Sequence, residues 1–217
     1  MTNDSLSDRA YQELRAAIIG GRILPGEAVL EVEVGAMLRM SRTPVREALL
    51  HLELEGYLVR DQASRLVVHR LSAREVAETF VVRELLEGEA ARLAASCISD
   101  EELARLGELV AADRRALRRR RFDELAALNE QIHGLIMIAS RNRTLTDLLR
   151  HLRGRIAGLD AFAVGSLDDQ QQFVEEHAML LELLRDGDAD AVVALLSDHL
   201  GRARDVLLGG LEEGEPR

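Results

Sequence analysis

Pro44 constrains this chain more than any other residue. It has no amide proton and a fixed φ, so a helix can hold it only near its start. It stands in Met40-Ser41-Arg42-Thr43-Pro44-Val45-Arg46-Glu47-Ala48-Leu49, where Ser41 and Thr43 are both competent N-caps. Val45, Leu49 and Leu52 then recur at helical spacing, which turns them inward. Ser41, Arg42, Thr43 and Arg46 are left at the N-terminal end. That end carries the reading side chains when a helix enters a DNA major groove.

The flanking residues extend this pattern. Leu30, Val34 and Leu38 mark a short helix, and Arg39-Met40 makes a tight connection into the next one. Two short helices joined in this way read as helix-turn-helix. Gly56 ends the second helix. Tyr57-Leu58-Val59 and Leu66-Val67-Val68 are β-prone runs around a polar tip, Asp61-Gln62-Ala63-Ser64, and such a hairpin after a reading helix is a wing. Upstream, Ala10 to Ile19 predicts a helix stopped by Gly20-Gly21, and Leu24-Pro25-Gly26 a turn.

At 217 residues the chain has room for two small domains. Aromatic residues make up 3% and Trp is absent, so the core must be built from Leu, Ala, Val and Ile, which favours helix packed on helix. From Leu71 onward no strand pattern is visible. Ser72 caps a helix to about Ala95, and Ser99-Asp100-Glu101-Glu102 starts another to about Arg120. Further helices are expected over Asp123–Ala139, from Asn142 to about Leu159, over Asp168–Arg185, and from the Asp186-Gly187-Asp188 turn to about Gly209. Six helices with short connections predict an antiparallel bundle. The fold class is therefore mainly α: a winged helix-turn-helix over 1–70 and an all-helical domain over 71–217.

The net charge of −10 divides unevenly. Residues 1–70 hold nine arginines against ten acids, a net of −1, and residues 71–217 hold nineteen against twenty-eight, a net of −9. Non-specific DNA affinity should be weak and salt-sensitive. The run Arg114 to Arg121 reads as a solvated helix end, where cations suit the dipole. Cys97 is the only cysteine, which excludes an internal disulfide and fits a cytoplasmic protein; its neighbours Ala94, Ala95 and Ile98 predict that it is buried. The polar N-terminus has no apolar signal core, no apolar run reaches spanning length, and the tail from Leu211 to Arg217 is expected to fray.

Gly21-Arg22-Ile23-Leu24-Pro25-Gly26, the Ser41-to-Leu49 run and Leu54-Glu55-Gly56-Tyr57-Leu58 together resemble the DNA-binding domain of the GntR family of bacterial regulators. The resemblance implies that Ser41, Arg42, Thr43 and Arg46 meet phosphates and base edges, where an arginine fork suits guanine. The wing lacks the glycine that the family carries at its tip, and Arg65 is the candidate for reaching a narrow minor groove. Where many relatives have a basic residue early in the first helix of the motif, this chain has Val32 between Glu31 and Glu33.

Four polar residues of the second domain point to a further site. Asn129 and His133 stand at i, i+4 and share a helix face. His177 lies ten residues before Gly187 and His199 twelve after it. At about 1.5 Å per residue these are roughly 15 Å and 18 Å from the turn, nearly the same height in an antiparallel pair. Three imidazoles and an amide oxygen could then meet as ligands for a divalent ion; spacing alone leaves hydrogen-bonded core histidines equally open.

Leu128-Asn129-Glu130-Gln131-Ile132-His133, Glu176-His177, Gly187-Asp188-Ala189 and His199-Leu200 resemble the FCD effector domain of FadR-like GntR regulators. Six helices rather than seven resemble the VanR-like subgroup. The resemblance implies a divalent ion of the zinc, nickel or manganese class on Asn129, His133, His177 and His199, with asparagine standing where such domains carry aspartate. Four neutral ligands leave the ion's charge unanswered, which favours a small carboxylate effector. Arg83 is a candidate second anchor for that effector, the alternative being a surface pair with Glu87. The expectation is a ligand-responsive transcriptional regulator that binds a palindromic operator as a homodimer. Two other readings stay open: the same regulator with a metal-free pocket for an organic ligand, and a metalloenzyme on the same bundle, although no general base or nucleophile stands beside the histidines.

Overall fold

A computed structural model of the chain describes residues 5–19, 21–160 and 165–213. Helix α1 (Leu6–Ile19) buries Ala10, Leu14, Ala17, Ile18 and Ile19 along one stripe. α2 (Glu31–Leu38) ends where Arg39 takes the left-handed conformation at φ 55°, and the Arg39 and Met40 amides close back onto the carbonyls of Ala36 and Gly35. That tight exit aims the chain into α3 (Arg42–Leu54), with Ser41 at the N-cap and Pro44 at the third helical position. Pro44 costs nothing there, since the first amides of a helix have no partner to lose.

Strands β1 (Leu58–Arg60) and β2 (Leu66–Val68) pair antiparallel, with Leu58 opposite Val68 and Arg60 opposite Leu66. Ala28 bridges to Val67 on the far side of β2. Leu14, Ile18, Val34, Val45, Leu49, Leu52, Tyr57, Leu58 and Val68 form one core beneath these elements.

Six helices follow. α4 (Ala73–Cys97), α5 (Asp100–Arg118) and α8 (Leu167–Asp186) each begin with a reciprocal capping box, Ser72 with Glu75, Ser99 with Glu102, and Ser166 with Asp169. In each box a hydroxyl and a carboxylate satisfy two amides that would otherwise be orphaned. α6 (Phe122–Ala139) and α7 (Arg143–Asp160) follow a turn at Arg120 and a turn at Arg141, both at positive φ. Gly187, at φ 71°, caps α8 and leads into α9 (Ala189–Glu213). α4 packs along α9 and also against α6 and α8, while α5 packs on α6 and α8, and α8 on α9.

The chain divides into two compact units. One holds α1 to β2 and also the part of α7 from Arg150 onward, where the His151 ring donates from Nδ1 to the Leu54 carbonyl at 2.7 Å. The other holds α4, α5, α6, α7 as far as Leu149, α8 and α9. The expectation of a buried Cys97 is corrected. It is exposed, because it is the last residue of α4 and lies beyond that helix's last buried position, Ala94. Helix α9 runs on through Glu213, and the rest of the tail expected to fray lies outside the described residues, as do the first four residues. Among the described residues no helix is long and apolar enough to cross a membrane.

Leu49 is 1% exposed and its neighbour Leu50 is 46% exposed. Leu49→Ala is expected to destabilise the winged unit by about 2–5 kcal/mol, and Leu50→Ala to stay within about 0.5 kcal/mol. Chemical denaturation of both variants checks this, and equal shifts would contradict the core described here.

Candidate functional site

On the winged unit, Ser41, Arg42 and Thr43 lie exposed at the start of α3. Ser41 occupies the N-cap without using its hydroxyl as a cap, so that hydroxyl is available to a phosphate. Arg46, one turn on, is not free. Its Nε and Nη2 donate to the two carboxylate oxygens of Glu31 at 3.0 and 3.2 Å. Hydrogen bonding from Arg46 holds the Glu31 carboxyl below its ordinary range even though the pair is exposed. One edge of the guanidinium is therefore committed, and a base or phosphate meeting Arg46 as it stands meets the other edge.

The wing is built the same way. Asp61 Oδ1 accepts from the amides of Ala63 and Arg65 at 2.9 and 2.8 Å, and Oδ2 accepts from Arg65 Nε at 2.9 Å. Ser64 takes φ 61°, filling the left-handed position that a glycine would otherwise take, and the Asp61 bonds on either side hold it there. Arg65 is exposed but paired. The arginines at the end of α5 and just beyond it, Arg118 to Arg121, are solvent-exposed.

In the helical unit His133 on α6, His177 on α8 and His199 on α9 converge, each no more than 3% exposed. Their ring centroids lie 5.1 to 5.7 Å apart. One candidate ligand nitrogen from each ring lies within 4.8 Å of those of the other two. Similar distances from the Gly187 turn, ten and twelve residues, bring His177 and His199 to nearly the same height.

Each ring is fixed by a different carboxylate. His133 Nδ1 lies 3.0 Å from Glu87 Oε2, His199 Nδ1 lies 2.8 Å from Glu176 Oε2, and His177 Nδ1 lies 2.7 Å from Asp113 Oδ2. A carboxylate can only accept, so each Nδ1 carries a proton, and a ring with no second proton has its lone pair on Nε2. The Nε2 atoms of His133 and His199 are 3.2 Å apart, and His177 Nε2 is buried with no hydrogen-bond partner. At that separation the two nitrogens can share one proton or one metal ion.

A proton on His199 is disfavoured. Burial and the neighbouring His177 push its imidazolium down, and this outweighs the pull of Glu176. The His133–His199 separation of 3.2 Å suits two ligands of one divalent ion, since nitrogens bound at about 2.1 Å stand roughly 3.0 Å apart at a right angle and roughly 3.4 Å apart at the tetrahedral angle; His177 would have to draw in to join them. Carboxylates behind metal-bound histidines are the usual device for fixing tautomer and ring orientation. Asn129 lies half-buried one turn before His133, and the hydrogen bonds that hold the rings do not involve it.

Arg83 is 3% exposed. Its Nε donates to Glu87 Oε1 at 2.7 Å, and its guanidinium lies over the Phe80 ring at 4.6 Å. The pairing with Glu87 is thus present, but buried rather than on a helix surface. On the other side of the site Glu176 Oε1 accepts from Arg202 Nε at 3.1 Å and from Gln172 at 3.0 Å. Burial would raise the Glu176 carboxyl, but its hydrogen bonds to His199 and Gln172 and the charge of Arg202 hold it below its ordinary value. The cluster therefore contains three carboxylates and two guanidiniums.

The sequence reading did not foresee Asp113, nor that Glu87 and Glu176 hold histidines. Their signal is an acid in an apolar stripe: Leu106, Val110, Asp113 and Ala116 are the buried positions of α5.

Comparison with known proteins assigns the two parts of the chain to one class of molecule. Residues 6–68 match the family described as bacterial regulatory proteins, gntR family, and residues 78–202 match the FCD domain. The chain is 31% identical over 191 residues to the Nta operon transcriptional regulator of Aminobacter aminovorans, covering 85% of this chain and 86% of that one. It is 26% identical over 196 residues to the HTH-type transcriptional repressor RspR of Escherichia coli, covering 90% and 86%. Among solved structures, E. coli McbR/YncC superposes with a TM-score of 0.85 at 23% identity over 94% of this chain and 97% of that one, a likeness of fold.

The molecule is thus a bacterial transcriptional regulator with a DNA-binding helix-turn-helix unit and an FCD effector domain; its relatives are named as regulators, not enzymes. It belongs to the GntR family.

Proposed function

We propose that this regulator binds a two-fold symmetric operator as a homodimer and that a small carboxylate effector, meeting a divalent ion in the FCD domain, controls its DNA affinity. The observation that carries the reading is the convergence of three buried imidazoles, one nitrogen of each within 4.8 Å of those of the others, whose rings are each held by a carboxylate. His133, His177 and His199 hold the ion, with Asn129 as the fourth ligand on the side of α6. The ion supplies positive charge and open coordination positions to an anion.

Charge supports the choice of effector. Three carboxylates and two guanidiniums leave the cluster at −1, and a divalent ion brings it to +1, which one carboxylate neutralises. The expectation of a wholly unanswered ion is therefore revised to a single residual positive charge. Arg83 anchors the effector only through the part of its guanidinium that Glu87 does not use. The ligands come from α6, α8 and α9, so an effector that prefers one packing of these helices shifts the population able to bind DNA. The six helices support placement in the VanR-like subgroup, the name of the E. coli relative supports repression, and the lone cysteine supports a cytoplasmic setting.

DNA contact is assigned to Ser41, Arg42, Thr43, Arg46 and, through the wing, Arg65. Arg42→Ala and Arg46→Ala are each expected to weaken operator binding about tenfold to a hundredfold at fixed salt. Unchanged affinity in both variants would remove α3 as the reading element.

Dimerisation is assigned to α4. Val81, Val82 and Leu85 lie exposed within two turns of that helix, Leu85 at 70%, and apolar side chains clustered in this way mark an interface. Leu85→Arg is expected to shift the protein toward monomer in sedimentation at micromolar concentration and to weaken operator binding with it. A wild type that sediments only as monomer, with and without operator, counts against the assignment.

The metal reading is tested on untagged protein. About one divalent ion per chain is expected on elemental analysis or titration, and His177→Ala is expected to lose both the ion and the effector response while still binding operator. A wild type that takes up no zinc, nickel or manganese, together with a normally responding His177→Ala, would show that the histidines are structural.

A further inference from the structure

The three carboxylates behind the histidines are not equivalent. Glu87 is answered by Arg83, whose Nε lies 2.7 Å from its Oε1. Glu176 is answered by Arg202 and Gln172 at 3.1 and 3.0 Å. Asp113 is 1% exposed, and among the described residues no arginine is paired with it; its partner is the His177 ring. Its Oδ2 accepts from His177 Nδ1 at 2.7 Å, while its Oδ1 is buried with no hydrogen-bond partner. At the opposite end of the same dyad, His177 Nε2 is also buried with no partner. The two orphaned atoms thus belong to one carboxylate–imidazole unit.

A buried carboxylate without a countercharge is costly, and so is a buried ring nitrogen without a donor. A cation arriving at His177 Nε2 answers both, giving the nitrogen a partner and the carboxylate a nearby positive charge. Through the Nδ1 hydrogen bond the Asp113 charge raises the electron density of the ring, so His177 becomes the most strongly donating of the three ligands. The charges of Glu87 and Glu176 are already balanced by their arginines and add little at the centre. We infer that Asp113 is the positioning residue that supplies the compensating charge for the ion, and that it makes the ion-free site unstable in favour of the loaded one. This inference rests on the metal reading above.

The role separates from ordinary structural support by sign. A residue that merely braces the bundle destabilises the ion-free protein when replaced. Removing the orphaned charge of Asp113 instead leaves ion-free stability intact or improved and lowers only metal affinity. The test uses the untagged full chain, freed of metal by chelation, with zinc as the probe. Zinc affinity is measured by competitive titration and the ion-free melting temperature by calorimetry, for the wild type, Asp113→Asn and Glu176→Gln.

Asp113→Asn is expected to weaken zinc binding about tenfold to a hundredfold, by more than Glu176→Gln, with an ion-free melting temperature equal to or above the wild type's. Equal zinc affinity in Asp113→Asn and wild type overturns the inference and leaves the metal reading standing. So does a loss of affinity that comes with a fall in ion-free melting temperature, or a larger loss in Glu176→Gln. A wild type that binds no zinc overturns the inference together with the metal reading.

Discussion

Three hydrogen bonds from ring Nδ1 atoms to buried carboxylates decide what the core of the helical unit can be. Were a carboxylate replaced by a group able to donate, the ring behind it could reverse its tautomer and present N–H to the centre. With acceptors only, at 2.7 to 3.0 Å, the Nδ1 protons are held outward and the Nε2 atoms are left for the centre. The acids and rings are brought together from five helices, α4, α5, α6, α8 and α9. Buried ionic groups seldom add net stability over well-packed apolar ones, so their presence here points to ligand chemistry rather than to holding the bundle together.

Much of this was legible in the sequence, for identifiable reasons. The helix starts at Ser72 and Ser99 were readable because a hydroxyl precedes an acid at the third helical position, and the α8–α9 turn because Gly187 accepts positive φ at no cost. The level placement of His177 and His199 followed from their counts to that turn. The reading helix was visible because Pro44 admits so few positions.

Other features depend on contacts that no local pattern encodes. Glu31 and Arg46 are fifteen residues apart on successive helices, and nothing in either helix announces the fork between them. Glu87, Asp113 and Glu176 looked like ordinary helix acids until packing turned them inward. Arg83 reads from the sequence as an effector anchor or as a surface partner of Glu87, yet it is buried between Phe80 and Glu87. Cys97 was judged by its neighbours' polarity, when its place at the end of α4 decides its exposure.

If α3 and the wing meet DNA as proposed, their acid-paired arginines carry one further consequence. Arg46 and Arg65 each already rest against a carboxylate, Glu31 and Asp61. A phosphate that recruits either one gains a guanidinium but also an adjacent negative charge, so fewer condensed cations leave the duplex than the arginine count suggests. The slope of log affinity against log salt, normally about −0.9 per neutralised phosphate, should therefore be shallow on random DNA. Encounters with unrelated sequence are then brief, and time on the chromosome is concentrated where base edges, rather than the polyanion, hold the protein.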